Sequence, residues 1–508
     1  MFRKFLIAGV SLALLTAGIA PAVAASDTVR PVRECADLVR EFAVPDAKTR
    51  VTSAVVVAGT TEFCDVRGKI EPNVGFQLKL PTQTYRGRYV QYGCGGFCGL
   101  IDDPAFPKCG PSFGDAAVAA TDDGHEWPNG NPFDTEWAKD QKARDDLFFR
   151  APHVVSKVSK HLIGQFYGKG PRKSYFTGCS NGGREALVLA QRYPHDFDGI
   201  VAAAPAAPYT GLIGYQVWVT RNTIPNEKID VLHDAVIDAC DGLDGLEDRQ
   251  LDEPRLCRFD PATLAGQLTD DEIARVKRLY AGLSDERVRL YPGGQPYGSE
   301  QGWKWWMNPR PEFGGSLSGQ LADNGLKNLV YPIGQPGSSL ETFEFTQREF
   351  RRLVPETVKA NALSLDLREF RRSGGKLIIW HGAADQAIPA EGTLDYWQRL
   401  TGGRQPDWAR LFIVPSVQHC TGGDTLTTFD PLPELVSWVE GGRAPEKVIA
   451  TGPGRTRPVF PYPLRAEYDG SGSSNDAANF VAAPGFGLPD RIRWAGEDLY
   501  HRPGPVAP

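Results

Sequence analysis

A serine lies in a glycine-rich turn in the first half of the chain. The segment Gly178–Gly183 reads GCSNGG, which puts Ser180 at the centre of a G-x-S-x-G motif. The motif follows a strand-like run at 173–177 and precedes a helix-forming stretch that begins at Arg184. Small residues allow a sharp strand-to-helix turn, which exposes the serine oxygen and aims the first helical N–H groups at a developing oxyanion. The pattern predicts a nucleophilic Ser180; the alternative is a serine in an ordinary glycine turn.

Two later segments supply an acid and a base. One apolar, strand-like run leads directly to Asp385, and a second leads to His419. The chain order Ser, Asp, His, with each residue behind a buried strand, is the order found in α/β-hydrolases. We therefore predict an α/β-hydrolase fold with the triad Ser180, Asp385 and His419. His381 is a rival base, but it precedes the acid in the chain, so we interpret it as structural.

Two cysteines flank the predicted nucleophile and base. Cys179 precedes Ser180, and Cys420 follows His419. The serine and the histidine must come within hydrogen-bond reach for proton transfer, so their neighbours come within the range of a disulfide. We predict a Cys179–Cys420 bond that clamps the nucleophile to the base. Two buried free thiols are the alternative.

This Cys-Ser, Asp, His-Cys constellation resembles the tannase and feruloyl esterase family, which includes mono(2-hydroxyethyl) terephthalate hydrolases. The resemblance covers nearly all of the mature chain. It implies a secreted carboxylic ester hydrolase with a large lid domain, acting on aromatic esters such as galloyl or feruloyl esters. Several family members carry an acidic residue directly after the nucleophile, where this chain has Asn181. That difference should change the polarity near the oxyanion without removing the backbone N–H.

The N-terminus has the pattern of a secretory signal peptide. A basic start, an apolar run from Phe5 to Ala17 and a small-residue end at Ala22–Ala24 predict a signal peptide over 1–24 and a secreted or periplasmic protein. The apolar run is short for a membrane span. A net charge of −6 without a basic tract argues against nucleic acid or an anionic membrane as partner. Nothing in the sequence indicates an oligomeric state.

Nine cysteines in an exported chain predict further disulfides and one unpaired thiol. Cys94, Cys98 and Cys109 lie close together in the sequence and allow one bond among them. The pairs that we predict besides the clamp are Cys35–Cys64, Cys240–Cys257 and Cys98–Cys109.

A glycine-rich loop, GCGGFCG at 93–99, follows a predicted strand at 88–92. In α/β-hydrolases the loop after the third strand supplies one oxyanion N–H, because glycine lets the backbone approach the substrate. Gly96 is our candidate donor, and the N–H of Asn181 is the second; the alternative is a glycine turn held by cysteines. An acidic and aromatic segment at 122–127 either borders the pocket or supports the triad as a salt-bridged loop, and we favour the second interpretation.

The distance in sequence between Ser180 and Asp385 exceeds what two strands and their helices need. We interpret 208–372 as an inserted lid domain, and 25–207 with 373–508 as the catalytic domain. Tryptophans in such a domain more often build its core than a substrate platform. The lid tryptophans are Trp218, Trp303, Trp305 and Trp306.

The predicted lid contains an acidic loop, CDGLDGLEDRQ, that begins at Cys240. Its three aspartates, spaced by glycines, can turn hard oxygen ligands toward one centre, which suits calcium better than zinc. From the residues alone, a solvated acidic loop is the better interpretation. The family resemblance implies a structural calcium and no organic cofactor. The ligands that it implies are the side chains of Asp241, Asp244 and Asp248 and the backbone carbonyls of Leu246 and Gln250.

The predicted reaction is hydrolysis of a small aromatic ester through an acyl-enzyme. An alternative within the fold is hydrolysis of a terephthalate or phthalate monoester, which would require a cation for the free carboxylate. We rank it second, because the expected pocket stretch at 321–345 contains Lys327 but no arginine. An alternative from another class is a non-catalytic binding protein on a hydrolase scaffold, against which the triad residues argue.

Overall fold

The computed structural model describes residues 28–107, 109, 114–286 and 288–501, so the predicted signal peptide at 1–24 lies outside the described residues. The strands are β1 (Glu41–Phe42), β2 (Thr49–Val57), β3 (Phe63–Ile70), β4 (Val74–Pro81), β5 (Arg88–Tyr92), β6 (Ala116–Thr121), β7 (Lys173–Cys179), β8 (Gly199–Ala203), β9 (Ser284–Asp285), β10 (Val288–Arg289), β11 (Lys376–Gly382), β12 (Ala409–Val414), β13 (Val448–Gly452), β14 (Arg455–Val459), β15 (Arg465–Tyr468) and β16 (Phe480–Ala483).

The helices are α1 (Gln141–Asp145), α2 (Ala151–Tyr167), α3 (Asn181–Arg192), α4 (Tyr209–Asn222), α5 (Asn226–Cys240), α6 (Asp270–Ala281), α7 (Glu300–Trp306), α8 (Leu317–Asn328), α9 (Gln347–Thr357), α10 (Arg368–Arg372), α11 (Glu391–Thr401) and α12 (Leu432–Gly441). Within the part of the chain that the structure describes, no helix is both long enough and apolar enough to cross a membrane.

One mixed sheet forms the centre of the molecule. Its strand order is β1-β2-β3-β4-β6-β5-β7-β8-β11-β12. The strands from β1 to β4 and the β4–β6 pair are antiparallel, and every pair from β6 to β12 is parallel. With helices on both faces, this arrangement confirms the predicted α/β-hydrolase class.

Side chains that alternate along the parallel strands build two apolar layers. On β11, Ile379 packs with the layer under α2, α3 and α11, whereas Ile378 packs with the layer under α12. On β8, Ile200 and Val201 divide in the same way. Because successive strand residues point to opposite faces, a strand buried on both faces is an uninterrupted apolar run, as the sequence shows.

The parallel strands bring their carboxyl ends to one edge of the sheet. The glycine-rich loop follows β5, Ser180 follows β7, Asp385 follows β11 and His419 follows β12. These strands are neighbours in the sheet, with β8 between β7 and β11. The topology therefore places the loops that carry the predicted site residues together.

A long insertion separates β8 from β11 in the sequence, although the two strands pair directly in the sheet. It runs from residue 204 to residue 375 and contains the helices α4 to α10 and the β9–β10 hairpin. It begins at the carboxyl end of β8, on the edge of the sheet where Ser180 lies. The elements that extend over the site therefore come from this segment.

Candidate active site

Ser180 occupies a tight turn between β7 and α3. Its backbone, at φ 62° and ψ −118°, adopts a conformation that L-residues rarely take. A Cβ on Gly178 would lie 2.6 Å from the backbone carbon of Gly182, and one on Gly183 would lie 2.1 Å from the carbonyl oxygen of Ala203. Only glycine fits at these positions. A serine held in a strained conformation at such a turn matches the expected nucleophile elbow.

Backbone hydrogen bonds fix the turn to the neighbouring strand and helix. The N–H of Ser180 donates to the carbonyl of Ala203 at 3.1 Å, and the carbonyl of Ser180 accepts from the N–H groups of Arg184 and Ala206, each at 3.1 Å. Both ends of the serine peptide are thus held. The position of the side chain over the sheet edge follows from the main chain.

His419 lies in the loop after β12 and is 8% exposed. Its Nδ1 is 2.8 Å from Oδ2 of Asp385, and its backbone N–H donates to the side-chain oxygen of Gln386 at 3.3 Å. Its ring lies 5.6 Å from the Trp306 ring. Because Nδ1 is engaged by the carboxylate, Nε2 is the nitrogen left for proton transfer. His419 and Ser180 line the same cavity.

Asp385 is fully buried, and each of its oxygens has partners. Oδ1 accepts backbone N–H groups from Ala387 at 2.9 Å and Ile388 at 2.8 Å, while Oδ2 faces His419. Burial alone would raise the pKa of Asp385, but the charges and hydrogen bonds of His419 and His381 outweigh it and hold that pKa well below its usual range. The Asp385 carboxylate is therefore ionised at every pH at which an imidazole is neutral.

His381, the rival base, is enclosed in the protein. Its Nε2 lies 2.7 Å from the carbonyl oxygen of Ile388 and 3.2 Å from Asp385, and its Nδ1 lies 2.8 Å from the hydroxyl of Thr393. Because a carbonyl only accepts, Nε2 carries a proton and donates it. His381 is 0% exposed, and the described lining of the Ser180 cavity does not include it. This placement favours the structural interpretation.

The cavity at Ser180 is narrow, with a volume of about 50 Å³, which is smaller than a typical small-ligand site. Trp306 donates its indole N–H to Gln216 at 2.9 Å, and Gln216 donates to the carbonyl of Ala387 at 2.8 Å. None of the described lining residues is a lysine, arginine, aspartate or glutamate. Besides Ser180 and His419, the lining residues are Gly96, Phe97, Asn181, Ala206, Tyr209, Leu212, Ile213, Gln216, Trp306, Leu321 and Ile388.

The loop after β5 brings Gly96 to this cavity, with φ at 58°. Cys94 and Cys98, on either side of Gly96, form a disulfide with their Cα atoms 5.4 Å apart. The predicted Cys98–Cys109 bond is therefore wrong. The left-handed backbone of Gly96 and of Cys98, at φ 60°, turns the loop back so that Cys98 meets Cys94. Cys109 is a buried free thiol, and burial raises its pKa to about 12.

The other three predicted disulfides are confirmed. Cys179–Cys420 joins the elbow to the loop of His419, with Cα atoms 5.9 Å apart. The remaining bonds are Cys35–Cys64 and Cys240–Cys257. The bond beside the site links two loops that are distant in sequence, so it limits their relative movement.

Two buried acids lie next to the Cys94–Cys98 disulfide. Asp123 and Glu185 are hydrogen-bonded to each other, and their carboxyl oxygens and the two sulfur atoms lie within 4.8 Å of one another. Such a group could hold an ion, although the disulfide leaves the two carboxyls as its charged donors. Burial raises the pKa of both acids, and the charge of Glu185 raises that of Asp123 further. The pair therefore retains a proton near neutral pH.

The acidic segment at 122–127 forms a hydrogen-bonded and salt-bridged loop, and its support of the triad stays a prediction. Asp122 accepts the N–H groups of Gly75 and Gly124, each at 2.8 Å. Glu126 pairs with Lys69 at 2.8 Å. These contacts tie the loop after β6 to its neighbours, and the described lining of the cavity includes no residue of this segment.

The predicted calcium loop follows α5 and is organised by its own carboxylates. Asp241 accepts the backbone N–H groups of residues 248–250 at 3.2, 2.8 and 3.0 Å. Asp244 accepts those of Leu246 at 3.2 Å and Asp252 at 2.9 Å. These two acids hold the backbone of the loop around themselves.

Two observations bear on a cation in this loop. Asp248 is already paired, at 3.1 Å from Arg455 and 2.7 Å from Arg457. Asp244, in contrast, is crowded by another acid: burial and the charge of Asp252 raise its pKa to about 7. Crowded hard oxygens of this kind suit calcium, because a cation relieves their repulsion. Among the described residues, the carboxylate oxygens of Asp241, Asp244 and Asp248 do not gather within 4.8 Å of one another as the Asp123 and Glu185 group does, so calcium in this loop stays a proposal, and Asp244 is the acid whose crowding a cation would relieve.

Comparison with known proteins decides the family. Residues 55–483 match the family model described as "Tannase and feruloyl esterase". The chain belongs to the tannase and feruloyl esterase family. It is 33% identical to the mono(2-hydroxyethyl) terephthalate hydrolase of Piscinibacter sakaiensis over 88% of this chain and 89% of that protein. It is 31% identical to a probable feruloyl esterase B-2 of Aspergillus terreus over 78% and 80% of the two chains. The crystal structure of an esterase from Aspergillus oryzae superposes with a TM-score of 0.73 at 25% identity, covering 87% of this chain and 98% of that one.

Membership of the tannase and feruloyl esterase family makes this chain a carboxylic ester hydrolase. The non-catalytic alternative is thereby set aside. The similar proteins carry names with two different substrates, a terephthalate monoester and a feruloyl ester. Family membership therefore does not decide which of these esters the chain hydrolyses, and the lining of the cavity is the evidence that bears on that question.

Proposed function

We propose that this esterase hydrolyses esters of aromatic acids, of the hydroxycinnamoyl or galloyl type, through an acyl-enzyme on Ser180. The cavity carries the proposal. Its described lining is apolar and aromatic apart from Gln216 and the candidate catalytic residues, and it includes Phe97, Tyr209 and Trp306. A flat, uncharged acyl group gains free energy by burial there, whereas an unpaired charge loses it.

In the proposed first step, Oγ of Ser180 bonds to the ester carbonyl carbon while Nε2 of His419 takes the hydroxyl proton. Asp385 keeps the proton of the imidazole on Nδ1 and stabilises the imidazolium that forms. The carbonyl oxygen becomes an anion, which the backbone N–H groups of Gly96 and Asn181 stabilise. All five residues belong to loops or helix ends at the carboxyl edge of the parallel strands.

The tetrahedral intermediate then loses its alcohol. The ester C–O bond breaks, the alkoxide takes the proton from His419, and the acyl group stays on Ser180. Water next enters the place of the alcohol and gives a proton to His419 as it attacks the acyl carbon. The bond to Ser180 breaks, the serine regains its proton and the free acid leaves.

Hydrolysis of a terephthalate monoester is the second candidate. It is supported by the 33% identity to the mono(2-hydroxyethyl) terephthalate hydrolase. The free carboxylate of such a substrate asks for a cation, and the described lining of the cavity contains no lysine or arginine. Lys327 is half-exposed and pairs with Asp323 on its own helix. This candidate therefore stays second.

A substrate panel separates the two candidates. We expect kcat/KM for methyl ferulate or methyl gallate to exceed that for mono(2-hydroxyethyl) terephthalate by about tenfold or more, because burying an unpaired carboxylate costs over 1 kcal/mol. Ser180→Ala measured in parallel gives the background rate for each ester. A preference for the terephthalate monoester would reverse the ranking, and equal rates on all three would mean that the cavity does not select for charge.

We assign residues 208–372 as a lid. Tyr209, Gln216, Trp306 and Leu321 belong to this segment, and all four line the cavity at Ser180. The lid thus supplies much of the wall that faces the acyl group. A calcium ion held by Asp241, Asp244 and Asp248, with the carbonyls of Leu246 and Gln250, would stabilise the lid and take no part in the chemistry.

The calcium assignment predicts a change in stability. We expect EDTA to lower the melting temperature by about 2–5 °C and added calcium to restore it, since a ligand that binds only the folded state stabilises it. Asp244→Asn should reproduce the loss and no longer respond to calcium. Asp271→Asn, an exposed acid in the same segment, is the matched control and should respond like the wild type. Protein free of calcium by elemental analysis, with a melting temperature indifferent to EDTA, would contradict the assignment.

We also propose that the protein is exported. The signal peptide predicted over 1–24 supports this location, and so do the four disulfides among the described residues, because such bonds persist in oxidising compartments.

A further inference from the structure

Asn181 directly follows Ser180, and both polar atoms of its side chain have partners. Asn181 is 3% exposed. Its Nδ2 donates to Oε1 of Glu185 at 2.6 Å and lies 3.2 Å from Sγ of Cys98, and its Oδ1 accepts from Nε of Arg184 at 2.8 Å. One amide therefore joins the first turn of α3 to the disulfide of the glycine-rich loop.

Glu185 touches the same loop directly. Its Oε1 lies 3.2 Å from Sγ of Cys94 and 3.8 Å from Sγ of Cys98, and its carboxyl is hydrogen-bonded to Asp123. A Cβ on Gly93 would lie 2.7 Å from Oε2, so the loop backbone has no room to shift toward Glu185. Glu185 is 2% exposed, and the described cavity lining does not include it.

The charge of this cluster is balanced inside the protein. Arg184 is fully buried and donates to the carbonyls of Phe148 at 2.6 Å and Leu147 at 2.7 Å. One guanidinium offsets one carboxylate, and the second acid of the Asp123–Glu185 pair keeps its proton. Glu185 can thus accept from Asn181 while Asp123 donates to it.

We propose that Glu185 is a positioning residue that sets the distance between the two oxyanion donors. The donors proposed above are backbone N–H groups on separate elements: Asn181 begins α3, and Gly96 lies between the cysteines of the disulfide. Glu185 links these elements through the Asn181 amide and through its contact with the disulfide. An oxyanion is stabilised only when both donors reach it at about 2.7–3.1 Å. The inference rests on the proposed function of Ser180.

The test separates transition-state stabilisation from substrate binding. For Glu185→Ala we expect kcat on p-nitrophenyl acetate to fall about 10²-fold and the inhibition constant of phenylboronic acid to rise by a similar factor. The boron of this inhibitor bonds to Oγ of Ser180 and becomes a tetrahedral anion, so it reports on the oxyanion site. KM and the inhibition constant of benzoate, which stays planar, should change by less than about threefold. Glu185→Gln keeps an acceptor for Asn181 and turns an NH₂ group toward Asp123, which then accepts the hydrogen bond and carries the negative charge in place of Glu185, so kcat should stay within about tenfold of the wild type.

Glu349→Ala is the matched control, because Glu349 is a buried glutamate that bonds Tyr331 and Arg352 outside the site. It should lower the melting temperature and leave kcat and boronate inhibition unchanged.

If Glu185→Ala does not fold, Cys94→Ser/Cys98→Ser decides by the same comparison. Unchanged kcat and boronate inhibition in the variant that decides would overturn the inference, as would Glu185→Gln falling as far as Glu185→Ala. One equivalent of metal in the wild type that is lost in Glu185→Ala would assign Glu185 to an ion instead. Full activity of Ser180→Ala would overturn the proposed function itself, which is a separate result.

Discussion

Ser180→Ala is expected to lower kcat on p-nitrophenyl acetate by about 10⁴- to 10⁶-fold, as removal of a serine nucleophile does in other triad enzymes. The substitution deletes the atom that bonds to the acyl carbon and leaves the turn intact, since alanine keeps the Cβ of serine and the elbow is fixed by main-chain bonds to Ala203 and Ala206. The melting temperature should therefore stay close to that of the wild type.

Ser174→Ala is the matched control for this prediction. Ser174 lies near the start of β7, the strand that Ser180 follows, and its side chain is buried. It should keep wild-type activity. His419→Asn should lose activity nearly as far as Ser180→Ala, because the nucleophile then lacks its base. An active Ser180→Ala protein, or a His419→Asn variant that keeps its rate, would show that the assigned nucleophile or base is wrong.

Asp385→Asn is expected to lower kcat by about 10⁴-fold while the fold is retained. The oxygen of the new amide can keep the N–H bonds of Ala387 and Ile388, which turns its NH₂ group toward Nδ1 of His419. Nδ1 must then accept, so the proton moves to Nε2, which can no longer take the proton of Ser180. The loss comes from the wrong tautomer.

Asp395→Asn controls for the loss of a buried carboxylate. Asp395 is 0% exposed and pairs with Arg399 at 2.9 Å on α11. Its replacement should lower the melting temperature and leave kcat close to the wild-type value. If Asp385→Asn retains most of its activity, or if Asp395→Asn loses as much, then Asp385 does not set the tautomer of His419.

The candidate triad residues could be chosen from the sequence because each one follows a strand at the same edge of the sheet. A parallel sheet brings such loops together whatever the helices between them do. The order Ser180, Asp385, His419 also left few alternatives. Of the two candidate histidines, the structure places His419 at the cavity and His381 among buried partners, as chain order had indicated.

The pairing of the cysteines near Gly96 could not be derived in the same way. Three thiols lie in one short stretch, and the choice among them depends on where the backbone reverses. Cys98 takes a left-handed conformation, which no rule based on glycine or proline would place there. The bond that results, Cys94–Cys98, brackets the candidate oxyanion donor.

The buried polar cluster around Glu185 could hardly be predicted from the sequence, because its members come from separate elements. Asp123 lies at the start of the loop after β6 and Glu185 lies on α3, and only the fold brings them together. The spacing of four residues between Asn181 and Glu185, one helical turn, was the single hint of a contact. Composition likewise could not distinguish Trp303, which is fully buried, from Trp306, which lines the cavity.

Covalent trapping of the nucleophile tests the central claim most directly. The wild-type protein would be treated with phenylmethylsulfonyl fluoride, digested and mapped by mass spectrometry while residual esterase activity is followed. We predict one sulfonyl group per chain, on the peptide that contains Ser180, appearing in proportion to the loss of activity, and no such label in Ser180→Ala. Inactivation with the label on another residue, or full labelling of Ser180 with activity retained, would contradict a serine esterase that works through Ser180.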